Sequence, residues 1–235
     1  MLGKNDSDIR IEALEQPLRA RHEIEEIIFE FKDKLLSKTQ NPKNYSAILK
    51  TLDLLKAESL KESFLVKGDQ APDFFLKDHQ NKIFNLKNSL QKNKILLTFI
   101  RGGWSPYCYL TLRDLEKHAA EFKNNNIKII AISSEKPECC LNTMKRNKLS
   151  FQVLSDKGNH VAQKYNLIYK SGATLNLMQE LGLHAAIANG DISYEIPVPA
   201  TYIIDEWMTI RFAFIDPDYR KRIPAELLLS ELRKL

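Results

Sequence analysis

The sequence predicts an α/β protein: a three-layer sandwich built on a mixed central sheet, with an N-terminal helical extension. Three observations predict this class. Two apolar runs, Ile95 to Ile100 and Ile127 to Ser133, read as buried strands, each followed by a helical stretch. Further on, Thr201 to Ile204 and Ile210 to Phe214 alternate like a strand pair joined by a turn at Asp205 to Met208. Strands alternating with helices, then an antiparallel pair and a last helix over Pro224 to Leu235, describe a mixed sheet with helices packed on it.

Taken in order, residues 8 to about 62 carry almost no Gly or Pro and place Ile, Leu and Phe at helical spacing. The Gln40-Asn41-Pro42 stretch divides this region into two helices, the first long or broken near Gln16-Pro17. Residues 1–65 are therefore expected to form a helical extension, packed on the main domain as a hairpin or offered to a partner. The main domain is expected over 66–235. It opens with a turn-rich Lys67 to Phe74, then short strands at Phe74 to Leu76 and Ile83 to Asn85. The central strand and a helix over Tyr109 to Phe122 follow. After Ile127 to Ser133, Pro137 opens a helix; Phe151 to Leu154 reads as a strand and Gly158 to Tyr165 as a short helix. Residues 167–198 show no clear period, apart from a helical turn or two at Leu175 to Leu183 and a turn at Asn189-Gly190-Asp191. An irregular segment of that length is often a lid or an insertion.

The chain has 235 residues, 43% hydrophobic and 28% charged, enough to bury a core. Its net charge of +5 is spread among acidic residues, which implies neither nucleic acid nor membrane as partner. No run approaches the ~18 apolar residues of a membrane span, and Met1 to Arg10 lacks the apolar centre of a signal peptide. Three cysteines, Cys108, Cys139 and Cys140, form neither a disulfide framework nor a zinc pattern. No metal and no cofactor is implied. A reducing compartment fits this usage, so the cytoplasm is the expected location.

The chain is organised around Ile100-Arg101-Gly102-Gly103-Trp104-Ser105-Pro106-Tyr107-Cys108, a turn between the central strand and the next helix. Ser105 suits the N-cap and Pro106 the first helical position, which puts Cys108 in the first turn. There the unpaired backbone N–H groups and the helix dipole favour negative charge on sulfur. The alternative for Cys108 is a buried structural thiol.

Ser105-Pro106-Tyr107-Cys108 matches a [Ser/Thr]-x-x-Cys pattern, and with it the chain resembles the peroxiredoxins of the alkyl hydroperoxide reductase/thiol-specific antioxidant (AhpC/TSA) superfamily. Gly68-x-x-Ala71-Pro72-Asp73-Phe74, the Ile129 to Ser133 strand, Phe151-x-Val153-Leu154-Ser155-Asp156 and Pro199-Ala200-Thr201-Tyr202-Ile203-Ile204-Asp205 resemble it too. The resemblance covers roughly 66–216 and implies a thioredoxin-like fold. It also implies a thiol-dependent peroxidase acting on hydrogen peroxide or organic hydroperoxides, with Cys108 as peroxidatic cysteine and Ser105 as its hydroxyl partner. Two positions depart from the pattern: Arg101 stands where the family has proline, and Pro199 where it has arginine. Arg101 is the expected substitute guanidinium. Arg113, five residues beyond Cys108, falls off the same helical face and is the weaker choice.

A branch of this superfamily carries Arg-Gly-Gly-Trp-Cys-Pro-Tyr-Cys in the turn, and Ser105 replaces its first cysteine. Disulfide exchange attacks with that first cysteine, so Ser105 argues against a thiol–disulfide oxidoreductase and leaves a single attacking sulfur. Cys139 or Cys140 is the resolving candidate; about 100° apart on a helix, at most one faces Cys108. Failing both, thioredoxin, glutaredoxin or glutathione would supply the reducing thiol, with a homodimer as one open assembly. Trp104, Pro106, Tyr107 and Pro199 are expected to wall the peroxide pocket, and His118, ten residues on, lies too far to act as a base. The second reading is a redox-sensing or partner-binding protein of the same fold.

Overall fold

The computed structural model describes residues 64–78, 80, 82–170, 190 and 195–234. The expected N-terminal helices and the Leu175 to Leu183 turn lie outside these residues. Of the Asn189-Gly190-Asp191 turn only Gly190 is described, with φ +69°.

A hairpin of β1 (Phe75–Lys77) and β2 (Ile83–Asn85) pairs antiparallel and runs into α1 (Leu86–Leu90). Asn85 caps this helix, its Oδ1 accepting the Asn88 N–H at 2.8 Å. The chain then forms β3 (Lys94–Ile100), α2 (Pro106–Lys117), α3 (Ala119–Asn124), β4 (Ile127–Ser133), α4 (Pro137–Asn147), β5 (Gln152–Ser155) and α5 (His160–Lys164). A short pair, β6 (Ile168–Lys170) and β7 (Glu195–Pro197), precedes β8 (Ala200–Ile204), β9 (Ile210–Ile215) and α6 (Ala225–Leu232).

Five strands make the central sheet in the order β5-β4-β3-β8-β9. β3 runs parallel to β4 and antiparallel to β8, so the expected mixed sheet is observed, with β3 at its middle. The apolar runs are continuous because both faces are covered. Ile95, Leu97 and Phe99 of β3 enter one core with Ile130, Ile132, Tyr202 and Ile204. Leu96 and Ile100 enter the other, with Leu112 and Leu115 of α2, Cys140 of α4, and Leu228 and Leu229 of α6. Fully burying each such side chain contributes about 1.5–3 kcal/mol.

Two elements differ from the sequence expectation. The helix begins at Pro106, as the Ser105-Pro106 start predicts, but the stretch to Phe122 is two helices, α2 and α3, broken at His118. The His118 ring takes the Asp114 carbonyl at 3.0 Å, while the His118 backbone N–H turns to the Glu116 carbonyl. The α-helical bond at that position is thereby replaced and the chain bends. Strands β6 and β7, within a segment read as aperiodic, are too short for period-2 alternation to show.

Candidate active site

Where β3 ends, Ile100 is buried and Gly102 adopts φ +144°, a conformation closed to side chains. Gly103 is required for a different reason. A Cβ there would stand 1.9 Å from Thr143 Oγ1 on α4. The turn therefore lies directly against α4. It closes with Ser105 N–H donating to the Gly102 carbonyl at 3.1 Å, and Pro106 begins α2. Cys108 falls in the first turn, fully buried in the core shared with Cys140.

Glu135, from the loop after β4, braces the turn. Its Oε2 accepts the Gly103 N–H at 2.8 Å and the Ser133 hydroxyl at 3.2 Å. The side chain is buried, and that burial pushes its carboxyl above the ordinary value, partly opposed by these two hydrogen bonds.

Ser105 has the extended backbone of an N-cap, with its carbonyl accepting the Tyr109 N–H at 3.0 Å, but its side chain makes no cap bond. The buried Oγ has no hydrogen-bond partner among the described residues. A buried hydroxyl in that condition is costly unless a ligand or a change of state satisfies it.

The guanidinium at the sulfur belongs to Arg222. Its Nη2 donates to Cys108 Sγ at 3.7 Å, and its Nη1 donates to the Lys221 carbonyl at 2.7 Å. Arg222 sits in residues 216–224, the loop between β9 and α6, which is folded over the start of α2. Tyr219 meets Tyr107 edge-on with ring centres 5.6 Å apart. Arg220 forks onto Asp218 at 2.8 and 2.7 Å, and Lys221 pairs with Asp216 at 3.0 Å. Asp114 Oδ2 accepts the Ala225 N–H at 2.7 Å, tying the start of α6 to α2. Burial, reinforced by Tyr219, pushes the Tyr107 hydroxyl up to about 12.

Arg101, the arginine expected at the sulfur, is buried with its guanidinium carbon 4.1 Å from the Tyr219 ring centre and 5.1 Å from that of Trp104. It shares the site through Tyr219. Arg113 instead donates to the Asn147 carbonyl at 3.0 Å and joins α2 to α4. His118 faces Asp114 and, at 3.8 Å, Glu226. Trp104 packs against the core on the opposite face from Cys108. Pro199 is buried immediately before β8, and the Phe99–Ala200 pairing sets it at the end of the sheet from which the Cys108 turn departs.

The three cysteines are free thiols. Cys140 is buried and its Sγ donates to the Glu135 carbonyl at 3.7 Å. Burial first, then the Glu135 carboxylate, pushes both the Cys140 and the half-buried Cys139 thiols up. Among the described residues no cluster of His, Cys, Asp and Glu could hold a metal ion.

Arg222, Tyr219 and Glu135 were not singled out from sequence. Each reaches the turn from another part of the chain, and no local pattern marks it.

The model of the AhpC/TSA family matches residues 67–213. The chain belongs to the AhpC/TSA family. Peroxiredoxin Bcp of Escherichia coli K12 is 28% identical over 103 residues, which cover 44% of this chain and 65% of that protein. The thiol-disulfide oxidoreductase ResA of Halalkalibacterium halodurans is 31% identical over 101 residues, 43% of this chain and 56% of that one. The chain thus spans less than two thirds of the length of each of these two relatives. Among solved structures, peroxidoxin BcpB of Mycobacterium tuberculosis superposes with a TM-score of 0.57 at 18% identity, covering 73% of this chain and 98% of that one. The fold of this family member is thioredoxin-like, as the motifs implied. The family match stops short of Arg222.

Proposed function

We propose that this protein is a thiol-dependent peroxidase that reduces hydrogen peroxide or organic hydroperoxides at Cys108. The observation that carries the reading is the Arg222 guanidinium, 3.7 Å from the sulfur of a cysteine in the first turn of a helix. That cation and the helix N-terminus both stabilise a thiolate and the negative charge that leaves it. The thiolate attacks one peroxide oxygen, forming an S–O bond as the O–O bond breaks. The sulfur is oxidised by two electrons to a sulfenic acid, and the departing oxygen takes a proton to leave as water or an alcohol. Ser105 Oγ, buried beside this helix start, is the donor for the peroxide. Arg222 holds the sulfur and the charge that develops during the transfer.

A thiol then condenses with the sulfenic acid, releasing water and leaving a disulfide that a second thiol reduces. The raised Cys139 and Cys140 thiols are poorly ionised as folded. The favoured reductant is therefore an external thiol such as thioredoxin, glutaredoxin or glutathione, with resolution by Cys139 or Cys140 as the alternative. A reducing compartment, the cytoplasm, suits such a cycle. Among the described residues no helix is long and apolar enough to cross a membrane.

The full burial of Cys108 favours a second reading, a redox sensor that reacts only when the 216–224 loop lifts. Dithiol exchange is disfavoured by Ser105. Mixing the reduced protein with hydrogen peroxide and trapping with dimedone tests the proposal. A dimedone adduct at Cys108, forming within seconds and lost in Cys108→Ser, is expected, followed by catalytic turnover with added thiol. An unmodified Cys108 after minutes of exposure overturns the peroxidase reading, and adduct formation without turnover selects the sensor.

A further inference from the structure

At the other end of the sheet, where β3 and β4 begin, lies a cleft of about 580 Å³ between the β1–β2 hairpin, α1 and the first residues of β4 and β5. Its volume falls within the roughly 300–1,000 Å³ of small-molecule sites. The apolar wall is Phe75, Ile83 and Phe84. Phe75 and Ile83 are 67% and 68% exposed, an unusual state for two large apolar side chains on one short hairpin. The polar wall carries the ammonium groups of Lys82, Lys92 and Lys128.

No carboxylate among the described residues pairs with any of the three. Asp78, the acidic residue of the cleft, is turned to its own loop: Oδ1 accepts the Gln80 and Lys82 N–H groups at 2.8 and 3.0 Å. Its Oδ2 accepts Gln152 Nε2 at 3.0 Å. Lys128 Nζ stands 5.2 Å from the centre of the Phe84 ring, half-buried, so one cation is held directly against the apolar wall.

We propose that this cleft binds an organic anion with an apolar body, a carboxylate or sulfonate carried on an aromatic or aliphatic group. The body covers Phe75 and Ile83, and the anionic end meets Lys128 with Lys82 and Lys92 at the mouth. Burial lowers the Lys128 ammonium from its ordinary value, and an anion beside it relieves that desolvation. The cleft is separate from Cys108, which follows the far end of β3.

Two fluorescent probes test the proposal: 1-anilinonaphthalene-8-sulfonate and N-phenyl-1-naphthylamine, which has the same rings without the sulfonate. We expect saturable binding of the sulfonate, about tenfold tighter than the neutral probe, and weakened severalfold by about 0.5 M salt. Lys128→Met should weaken the sulfonate about fivefold and spare the neutral probe, while Ile83→Ser should weaken both. Unchanged melting temperatures and unchanged Cys108 oxidation rates establish that the variants fold. Equal affinity for the two probes, or sulfonate binding indifferent to both substitutions, overturns the proposal.

Discussion

Arg222 Nη2 lies 3.7 Å from Cys108 Sγ although 114 positions separate the two residues. The contact is possible because β9 returns antiparallel beside β8 and the loop that follows folds across the start of α2. Arg101, only seven residues before Cys108, stacks against Tyr219 and Trp104. The two arginines therefore make opposite predictions. Arg222→Met should slow oxidation of Cys108 by hydrogen peroxide about 100-fold, the usual scale for losing one charge-stabilising donor, with Arg222→Lys recovering part of it. Arg101→Met should change that rate less than tenfold and appear mainly as lost stability, because it removes two cation–π contacts of roughly 0.5–2 kcal/mol each. Stopped-flow rates and urea midpoints of the two variants separate these effects.

Ser105 offers a cleaner division between folding and chemistry. Its Oγ is buried and makes no hydrogen bond within the described structure, so removing it strips no bond from the native state. Ser105→Ala should be neutral or raise stability by up to about 1 kcal/mol. If the hydroxyl serves the incoming peroxide, the same variant should lose about tenfold or more in the rate of Cys108 oxidation. A stable variant with an undiminished rate removes Ser105 from the chemistry.

The strand, the Gly-Gly turn and the helix bearing Cys108 were legible because each is written locally, as an apolar run, two adjacent glycines and a Ser-Pro helix start. Arg222 was not, because its place at the sulfur follows from strand pairing and from the Ala225–Asp114 hydrogen bond, neither of which has a local pattern. The break at His118 has the same character. Neither Gly nor Pro marks it, and the bond from the ring to the Asp114 carbonyl shows only in three dimensions. Glu135 was hidden in a loop, where a buried carboxylate looks like any exposed one.

The loop over Cys108 should respond to alkali through Tyr107. Its hydroxyl is pushed up to about 12 from an ordinary 10.0, so the native state holds that proton more tightly than the unfolded chain. The associated stability is complete below pH ~10 and is lost as pH rises toward ~12. Denaturant midpoints should fall across that window in the native protein and fall less in Tyr107→Phe, which keeps the edge-on contact with Tyr219. Equal slopes for the two proteins would show that Tyr107 is not sealed by the loop.

Glu135 couples the Cys108 turn to α4 through hydrogen bonds of its side chain and its carbonyl. The carboxylate holds the Gly103 N–H, and the carbonyl accepts Cys140 Sγ and, at 2.6 Å, Ser155 Oγ. Its carboxyl is raised above the ordinary 4.5, which means the folded protein holds that proton more tightly than the unfolded chain does. The contribution of this group to stability is therefore greatest in acid and declines as pH rises through the raised value. Glu135→Gln retains a carbonyl oxygen for Gly103 and removes the buried charge, so it should gain on the native protein as pH climbs from the ordinary 4.5 through the raised value. Glu135→Ala leaves the Gly103 N–H unpaired and should cost about 1–3 kcal/mol in acid, a cost that shrinks as pH climbs because the same buried charge is removed. Because the turn positions Cys108, the alanine variant should also oxidise more slowly, with the glutamine variant close to the native rate. Urea midpoints across that range, read beside peroxide rates, decide it. A glutamine variant as slow as alanine would mean that the charge on Glu135, rather than its grip on Gly103, governs the site.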